Sequence, residues 1–285
     1  CMTAILVLVL GCAASSRSVC AEIRPNIVYL MTDDQRADSL GCTGNPIIQT
    51  PNIDRLAADG VMFNNAFVTT AICMTSRACV FTGQYAARHR IWSFSKELTE
   101  EQLSQTYIGR LHTAGYRTGF IGKWGVGHPR SADAILDCNW GFPGQSKYFE
   151  NIREKSGRHL TAKMGDQALE FLEGCSTDKP FHLSISFKAP HCQDSADIYS
   201  DQFPSDSAFR DLYVDVTIPQ PHTAAAEFHD RMPDFLKNSM NRDRWAVRFR
   251  SPMRYQQSVK DYYRLVTGVD VVVGRIREAL KKHGF

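Results

Sequence analysis

An α/β domain built on a largely parallel sheet flanked by helices is what this sequence predicts. The first observation is Asn26 to Met31 (NIVYLM), a short and nearly all-apolar run, as expected for a strand covered on both faces. The second is alternation: further strand-like runs, Tyr116 to Ile121 and Phe181 to Phe187 (FHLSISF), are separated by helical patterns with identifiable starts and stops. The 285 residues suffice for one large domain or two small ones.

Each element has a local reason. Thr50-Pro51 opens a short helix through Ala58, with Thr50 as N-cap, Pro51 in the first turn and Gly60 as stop. Thr99-Glu100-Glu101-Gln102 is a capping box. It predicts a helix with Leu103, Ile108 and Leu111 on one face, ending near Gly115. A further helix runs from about Thr161 to Glu173, with Met164, Ala168, Leu169 and Leu172 inward. From Pro190 to Pro252 the chain is rich in Pro, Asp, Ser and Arg and has little periodicity. Residues 190–252 are too many for a plain connection, so they are read as a substrate-side insertion with some structure of its own. A long helix follows from about Ser258, where Tyr262, Val266, Val269, Val273, Ile276 and Leu280 recur at helical spacing, and Gly284 is its stop.

Composition narrows the function class. The chain is 43% apolar and 22% charged, which is ordinary for a globular protein. A net charge of +3 is too small to imply nucleic-acid binding. Met2 to Ala14 (MTAILVLVLGCAA) is apolar but too short to span a bilayer, and Val19-Cys20-Ala21 follows small and polar residues. Residues 1–21 are therefore expected to be a signal peptide cleaved after Ala21, leaving 22–285 as an exported, periplasmic or extracellular, protein without an integral membrane span. A buried N-terminal strand is the plainer reading of the same run. Cleavage after Gly11 with lipidation of Cys12 would instead give a lipid anchor. Of the nine cysteines, Cys1, Cys12 and Cys20 fall in this leader. The others (Cys42, Cys73, Cys79, Cys138, Cys175 and Cys192) contain no CxxC pair, so neither a zinc site nor a disulfide-stapled scaffold is expected.

Asp33 and Asp34 directly follow the first strand, and ligands of open α/β sheets sit beyond the carboxyl ends of strands. Two adjacent carboxylates repel each other unless a cation binds them, and oxygen ligands suit Ca²⁺ or Mg²⁺. A solvated turn is the plain alternative. Cys73 has three readings: a buried structural thiol, a thiolate nucleophile, or a precursor of a modified residue. The run Ser76 to Thr82 can form a helix, which places position 73 at a helix N-terminus where anions are favoured. Arg77 then lies one turn on and can hold an anionic oxygen. Arg244, Arg248 and Arg250 form a basic cluster, either a solvated face or contacts to an anionic sugar.

These segments together resemble the sulfatases of the alkaline-phosphatase-like superfamily. The matching runs are Asp33-Asp34-Gln35-Arg36, Pro51 to Leu56, Cys73-Met74-Thr75-Ser76-Arg77 with its Thr82-Gly83-Gln84 tail, Gly122 to His128, Pro190-His191 and Tyr262 to Asp270. The resemblance implies a sulfuric ester hydrolase in which a formylglycine-generating enzyme oxidises Cys73 to formylglycine. It implies Ca²⁺, rather than Mg²⁺, held by Asp33, Asp34, residue 73 and ligands beyond Phe285. Arg77 and Lys123 would stabilise charge on the sulfate, and His191 would protonate the departing alcohol. Asp270 is expected to cap or pack. The implied substrate is a sulfate ester, on a sulfated polysaccharide or glycosaminoglycan. Three departures stand out. Thr75 replaces the usual proline or alanine. Gly125 replaces the usual histidine, with His128 nearby as its candidate stand-in. The stop at Phe285 implies the N-terminal part of a catalytic domain, incomplete at the C-terminus and inactive alone. The rival readings are a phosphodiesterase or phosphonate hydrolase of the same superfamily, and a non-catalytic sugar-binding relative.

Overall fold

The computed structural model describes residues 24–285 except Arg153, Ala196, Ile198 and Tyr199. The expected signal peptide, with Cys12 and Ala21, lies outside the described residues. Four strands, β1 (Ile27–Asp33), β2 (Arg117–Lys123), β3 (Cys138–Phe142) and β4 (Phe181–Pro190), form one sheet in the order β1-β4-β2-β3. Every pairing is parallel, as the alternation of elements predicts. The helices before β2 are α1 (Pro51–Asp59), α2 (Cys73–Thr82), α3 (Ala86–His89), α4 (Glu100–Ser104) and α5 (Tyr107–Thr113). Then come α6 (Leu160–Glu173), α7 (Ala226–Asp230), α8 (Asp234–Lys237), α9 (Met240–Phe249) and α10 (Pro252–Lys282).

Strand periodicity divides the core into two layers. In β4, Phe181, Leu183, Ile185, Phe187 and Ala189 join the apolar cluster under α6 and α10. Phe120 of β2 turns the other way, into a second cluster with Met74, Ala78 and Phe81 of α2 and Ile108 of α5. The alternate residues of β4 are His182, Ser184, Ser186 and Lys188, all buried. This central strand thus carries a line of polar groups beneath α2 and α5, and each must find a partner or pay desolvation. Ser184 meets Tyr107 Oη at 2.7 Å.

Several expectations need correction. The helix after the Thr99 capping box is two helices, because Thr106 caps a second one, its hydroxyl accepting Gly109 N–H at 3.1 Å. A Cβ on Gly109 would lie 2.5 Å from Leu103 O, so glycine permits the tight junction. The strand β3 has no clear sequence pattern and was not expected. The final helix begins at Pro252, capped by Ser251, not near Ser258. Among its described residues, segment 190–252 holds α7, α8, α9, two 3-10 turns (Ser207–Phe209 and His222–Ala224) and irregular stretches. Among the described residues, no helix is long and apolar enough to cross a membrane, and Cys42, Cys73, Cys79, Cys138, Cys175 and Cys192 are free thiols.

Thr50 occupies the N-cap position of α1, but its hydroxyl donates to Asp54 instead of accepting a cap bond. Asp270 of α10 takes over. Its Oδ1 accepts the backbone N–H of Asn52 (2.9 Å) and Ile53 (2.7 Å), and Oδ2 accepts Asn52 Nδ2 (2.8 Å). A carboxylate there also meets the positive end of the α1 dipole. Asp270→Ala leaves these donors unpaired in a buried site. The expected loss is about 2 to 3 kcal/mol of folding free energy, checked by urea denaturation against wild type.

Candidate active site

The carboxyl ends of β1, β2 and β4 converge with the N-terminus of α2. At the end of β1 the register with β4 slips between Met31 and Asp33, and Asp34 adopts φ 59°, in the left-handed region. These two irregularities aim the carboxylates apart. Asp33 is buried, whereas the Asp34 side chain is 64% exposed. Tyr262 of α10 pins this turn, donating to Asp34 O (3.0 Å) and accepting Arg36 N–H (2.8 Å).

Asp33 Oδ2 accepts Lys123 Nζ at 2.5 Å and lies 3.5 Å from Arg77 Nη2. Both cations are almost fully buried. Arg77 also donates through Nη1 to Lys123 O (2.7 Å) and to Ser186 Oγ, so one guanidinium ties α2 to β2 and β4. Burial lowers the Arg77 pKa, an effect that the negative charge of Asp33 opposes. Cys73 is the first residue of α2, one turn before Arg77, with its thiol partly exposed and without a hydrogen bond among the described residues.

A further chain of contacts links Lys123 to His191. Lys123 Nζ donates to Gln145 Oε1 (3.0 Å), and Gln145 Nε2 donates to His191 Nε2 (3.1 Å). His191 Nδ1 donates to Cys192 O (2.7 Å), which fixes the tautomer and leaves Nε2 as the accepting atom. That nitrogen is 3.4 Å from Asp34 Oδ2 and 3.8 Å from Asp194 Oδ2. Lys188, wholly buried, donates to Ser146 O (2.8 Å) and Gln193 Oε1 (3.0 Å), and burial pulls its pKa down to about 8. It holds the segment carrying Gln145 against β4, which ends just before His191.

Two donor sets could take a metal. Asp33 and Asp34 offer only oxygen, and Asp33 Oδ1 accepts no hydrogen bond from the described residues; this set suits a hard cation. His191, Cys192 and Asp194 also gather ligand atoms within 4.8 Å of one another. In that set Asp194 is already engaged by Arg248 Nη2 (2.7 Å) and Cys192 Sγ (3.2 Å).

The sulfatase family model matches residues 25–284. The chain belongs to the sulfatase family. An N-acetylglucosamine-6-O-sulfatase of Bacteroides thetaiotaomicron is 28% identical over 97% of this chain and 60% of that protein. The chain thus spans about 60% of the length of that relative. A solved structure in complex with its substrate, D-glucosamine-2-N,6-O-disulfate, superposes with TM-score 0.68 at 24% identity, covering 92% of this chain and 63% of the other. The phosphonate monoester hydrolase of Agrobacterium radiobacter superposes with TM-score 0.70 at 19% identity, over 92% and 60% of the two chains. At such identities these structures establish the α/β fold.

The structure brings Asp33, Arg77 and Lys123 into direct contact and joins His191 to them through Gln145, with Asp34 on the far side of His191. It does not bring in His128 as a stand-in for Gly125. The His128 side chain is exposed, and its Nδ1 accepts Arg130 N–H (3.2 Å) as the cap of the turn Pro129–Ile135. Gly125 itself has φ +78°, and a Cβ there would lie 2.5 Å from Arg77 Cδ. The space a side chain would take is filled by the arginine. Gln145 and Lys188 were missed as site residues. Gln145 carries no sequence signal, but Lys188 sits in register with the polar face of β4.

Thr75, the other departure, is buried, and its Oγ1 has no hydrogen-bond partner. Thr75→Val keeps the shape and removes the unsatisfied hydroxyl. The expected result is a gain of about 1 kcal/mol in unfolding free energy, read by denaturant titration.

Proposed function

We propose that this sulfatase-family chain carries the sulfate-binding half of a hydrolytic site for sulfuric esters, acting on sulfated carbohydrate. The observation that supports it most is the position of Cys73 at the start of α2, with Arg77 one turn on and Lys123 beside it through Asp33. Two fixed cations next to a helix N-terminus form a receptor for a tetrahedral oxyanion. The identity of the B. thetaiotaomicron N-acetylglucosamine-6-O-sulfatase over nearly the whole chain supports a carbohydrate substrate. Export, through cleavage of residues 1–21, fits a polysaccharide or glycosaminoglycan that meets the protein outside the cell. The same reading makes residues 190–252 the substrate-side wall.

Residue 73, converted to formylglycine by a formylglycine-generating enzyme, would supply a nucleophilic aldehyde hydrate, and Ca²⁺ on Asp33 and Asp34 would supply Lewis acidity. The chain's own residues do the rest. Arg77 and Lys123 are held rigidly by Asp33, Ser186 and Lys123 O, so they can stabilise growing negative charge on the sulfate without reorganising. With Nδ1–H committed to Cys192 O, Nε2 is the His191 atom that would exchange a proton with the leaving alcohol oxygen, in place of its contact to Gln145 Nε2. Gln145 sets the position of both Lys123 and His191, so it is a positioning residue.

Mass spectrometry of the peptide containing residue 73, from full-length protein made with a formylglycine-generating enzyme, is expected to show the aldehyde. That protein should turn over an aryl sulfate faster than an aryl phosphate diester. A retained thiol would sink the formylglycine assignment, and the reverse preference would favour a phosphodiesterase. Gln145→Leu in the same protein should lower kcat for the aryl sulfate by about 10- to 100-fold with an unchanged melting temperature.

A further inference from the structure

A cleft of about 1150 Å³ opens beside Asp34 and Pro190 and is walled by Tyr255, Tyr262, Tyr263 and the start of α10. It exceeds the usual range for small-ligand sites, about 300–1,000 Å³. A second hollow, of about 280 Å³, joins Asp34 and His191 to α9. The residues of α9 that line this hollow are Asn241, Arg244, Trp245, Arg248 and Phe249. They recur at spacings of three and four, so one face of the helix looks onto the reacting end of the cleft. Asp243, the only acidic residue of α9, is not on that face.

The arginines on α9 differ in their commitments. Arg248 is largely buried and paired with Asp194 at 2.7 Å. Arg242 lines the larger cleft and stacks 4.0 Å from the Trp245 ring. Arg244 is exposed, lines the hollow, and makes no hydrogen bond or ion pair among the described residues. Its charge acts on Asp194, but its N–H groups are uncommitted, and a guanidinium in that state beside a sulfate-ester site presents a planar fork that matches sulfate or carboxylate. Trp245, 38% exposed, adds an aromatic surface next to it.

We propose that α9 forms a specificity subsite, with Arg244 its principal contact, for a second anionic group on the sugar that carries the scissile sulfate or on its neighbour. This rests on the sulfatase reading of the adjoining site. The preferred substrate is then a polyanionic carbohydrate rather than a singly sulfated sugar or an aryl sulfate. The second group shares one chemistry, a planar or tetrahedral oxyanion, and can be a sulfate or a uronate carboxylate.

The test uses the full-length protein with Cys73→Ala, whose methyl group cannot become the aldehyde, so that binding is read without turnover. Calorimetry compares N-acetylglucosamine 6-sulfate, glucosamine 2-N,6-O-disulfate, and a 6-sulfated disaccharide bearing a uronate. A probe with the second anion should bind about tenfold tighter than the monosulfated sugar, and whichever probe gains identifies the source. Arg244→Gln should erase that gain while leaving affinity for the monosulfated sugar unchanged, and Arg244→Lys should restore part of it. No gain from either second anion, or a gain that survives Arg244→Gln, overturns the subsite. Absence of sulfate release from any of the three sugars and from an aryl sulfate by aldehyde-bearing wild type would overturn the hydrolase reading alone, because the affinity comparison stands without it.

Discussion

Everything at this site hangs on one buried carboxylate. Asp33 sits at the end of an edge strand, and two cations from different elements converge on its Oδ2. Each of the three charges would be costly in the interior if left alone, and removing one partner of such a set typically costs about 3–5 kcal/mol. Together they fix geometry. Arg77 reaches the carbonyl of Lys123 and the hydroxyl of Ser186, so α2 cannot slide along the sheet without breaking contacts to β1, β2 and β4 at once. The parallel sheet makes the convergence possible, because all its strands deliver their carboxyl ends to the same edge.

From this centre the polar groups run outward in order. Lys123 passes to Gln145, Gln145 to His191, and His191 to the exposed Asp34. Lys123 is buried and Gln145 partly so, while Asp34 faces the cleft. Helix α10 supports both ends of the arrangement: Tyr262 pins the turn after Asp33, and Asp270 caps α1. Arg248 of α9 closes on Asp194, next to His191, and so ties the irregular segment to the reacting edge. Asp194 is held below the usual carboxylate range. Burial raises it, but the Cys192 thiol, His191, Arg244 and Arg248 outweigh that effect.

Much of this was legible in the sequence, for reasons that are local. Apolar runs, the capping box at Thr99 and the stop at Gly284 depend on neighbours a few residues away. The placing of Cys73 and Arg77 one helical turn apart depends only on the helical propensity of the run that follows. What could not be read depends on distant partners. Gln145 lies after a short strand without clear alternation, and its meaning comes from Lys123 and His191, which only the sheet brings together. Gly125 reads as a loss in the sequence, yet Arg77 occupies the space a side chain would take. Thr50 matched a cap pattern, yet the cap bonds come from Asp270, far along the chain. The Ser251-Pro252 start of α10 was a readable cue, masked by the aperiodic segment before it. The polar alternation of His182, Ser184, Ser186 and Lys188 was another, hidden within a run read simply as a strand.

The central claim is that Asp33, Lys123 and Arg77 act as a single interdependent unit, one carboxylate holding two cations. A double-mutant cycle on Asp33→Asn and Lys123→Met, read as unfolding free energy in denaturant, tests it most directly. If the claim holds, each single change is strongly destabilising, and the double change costs less than the two singles together by about 2 kcal/mol or more. Additive losses would contradict it, because they would mean that the two residues stabilise the fold independently.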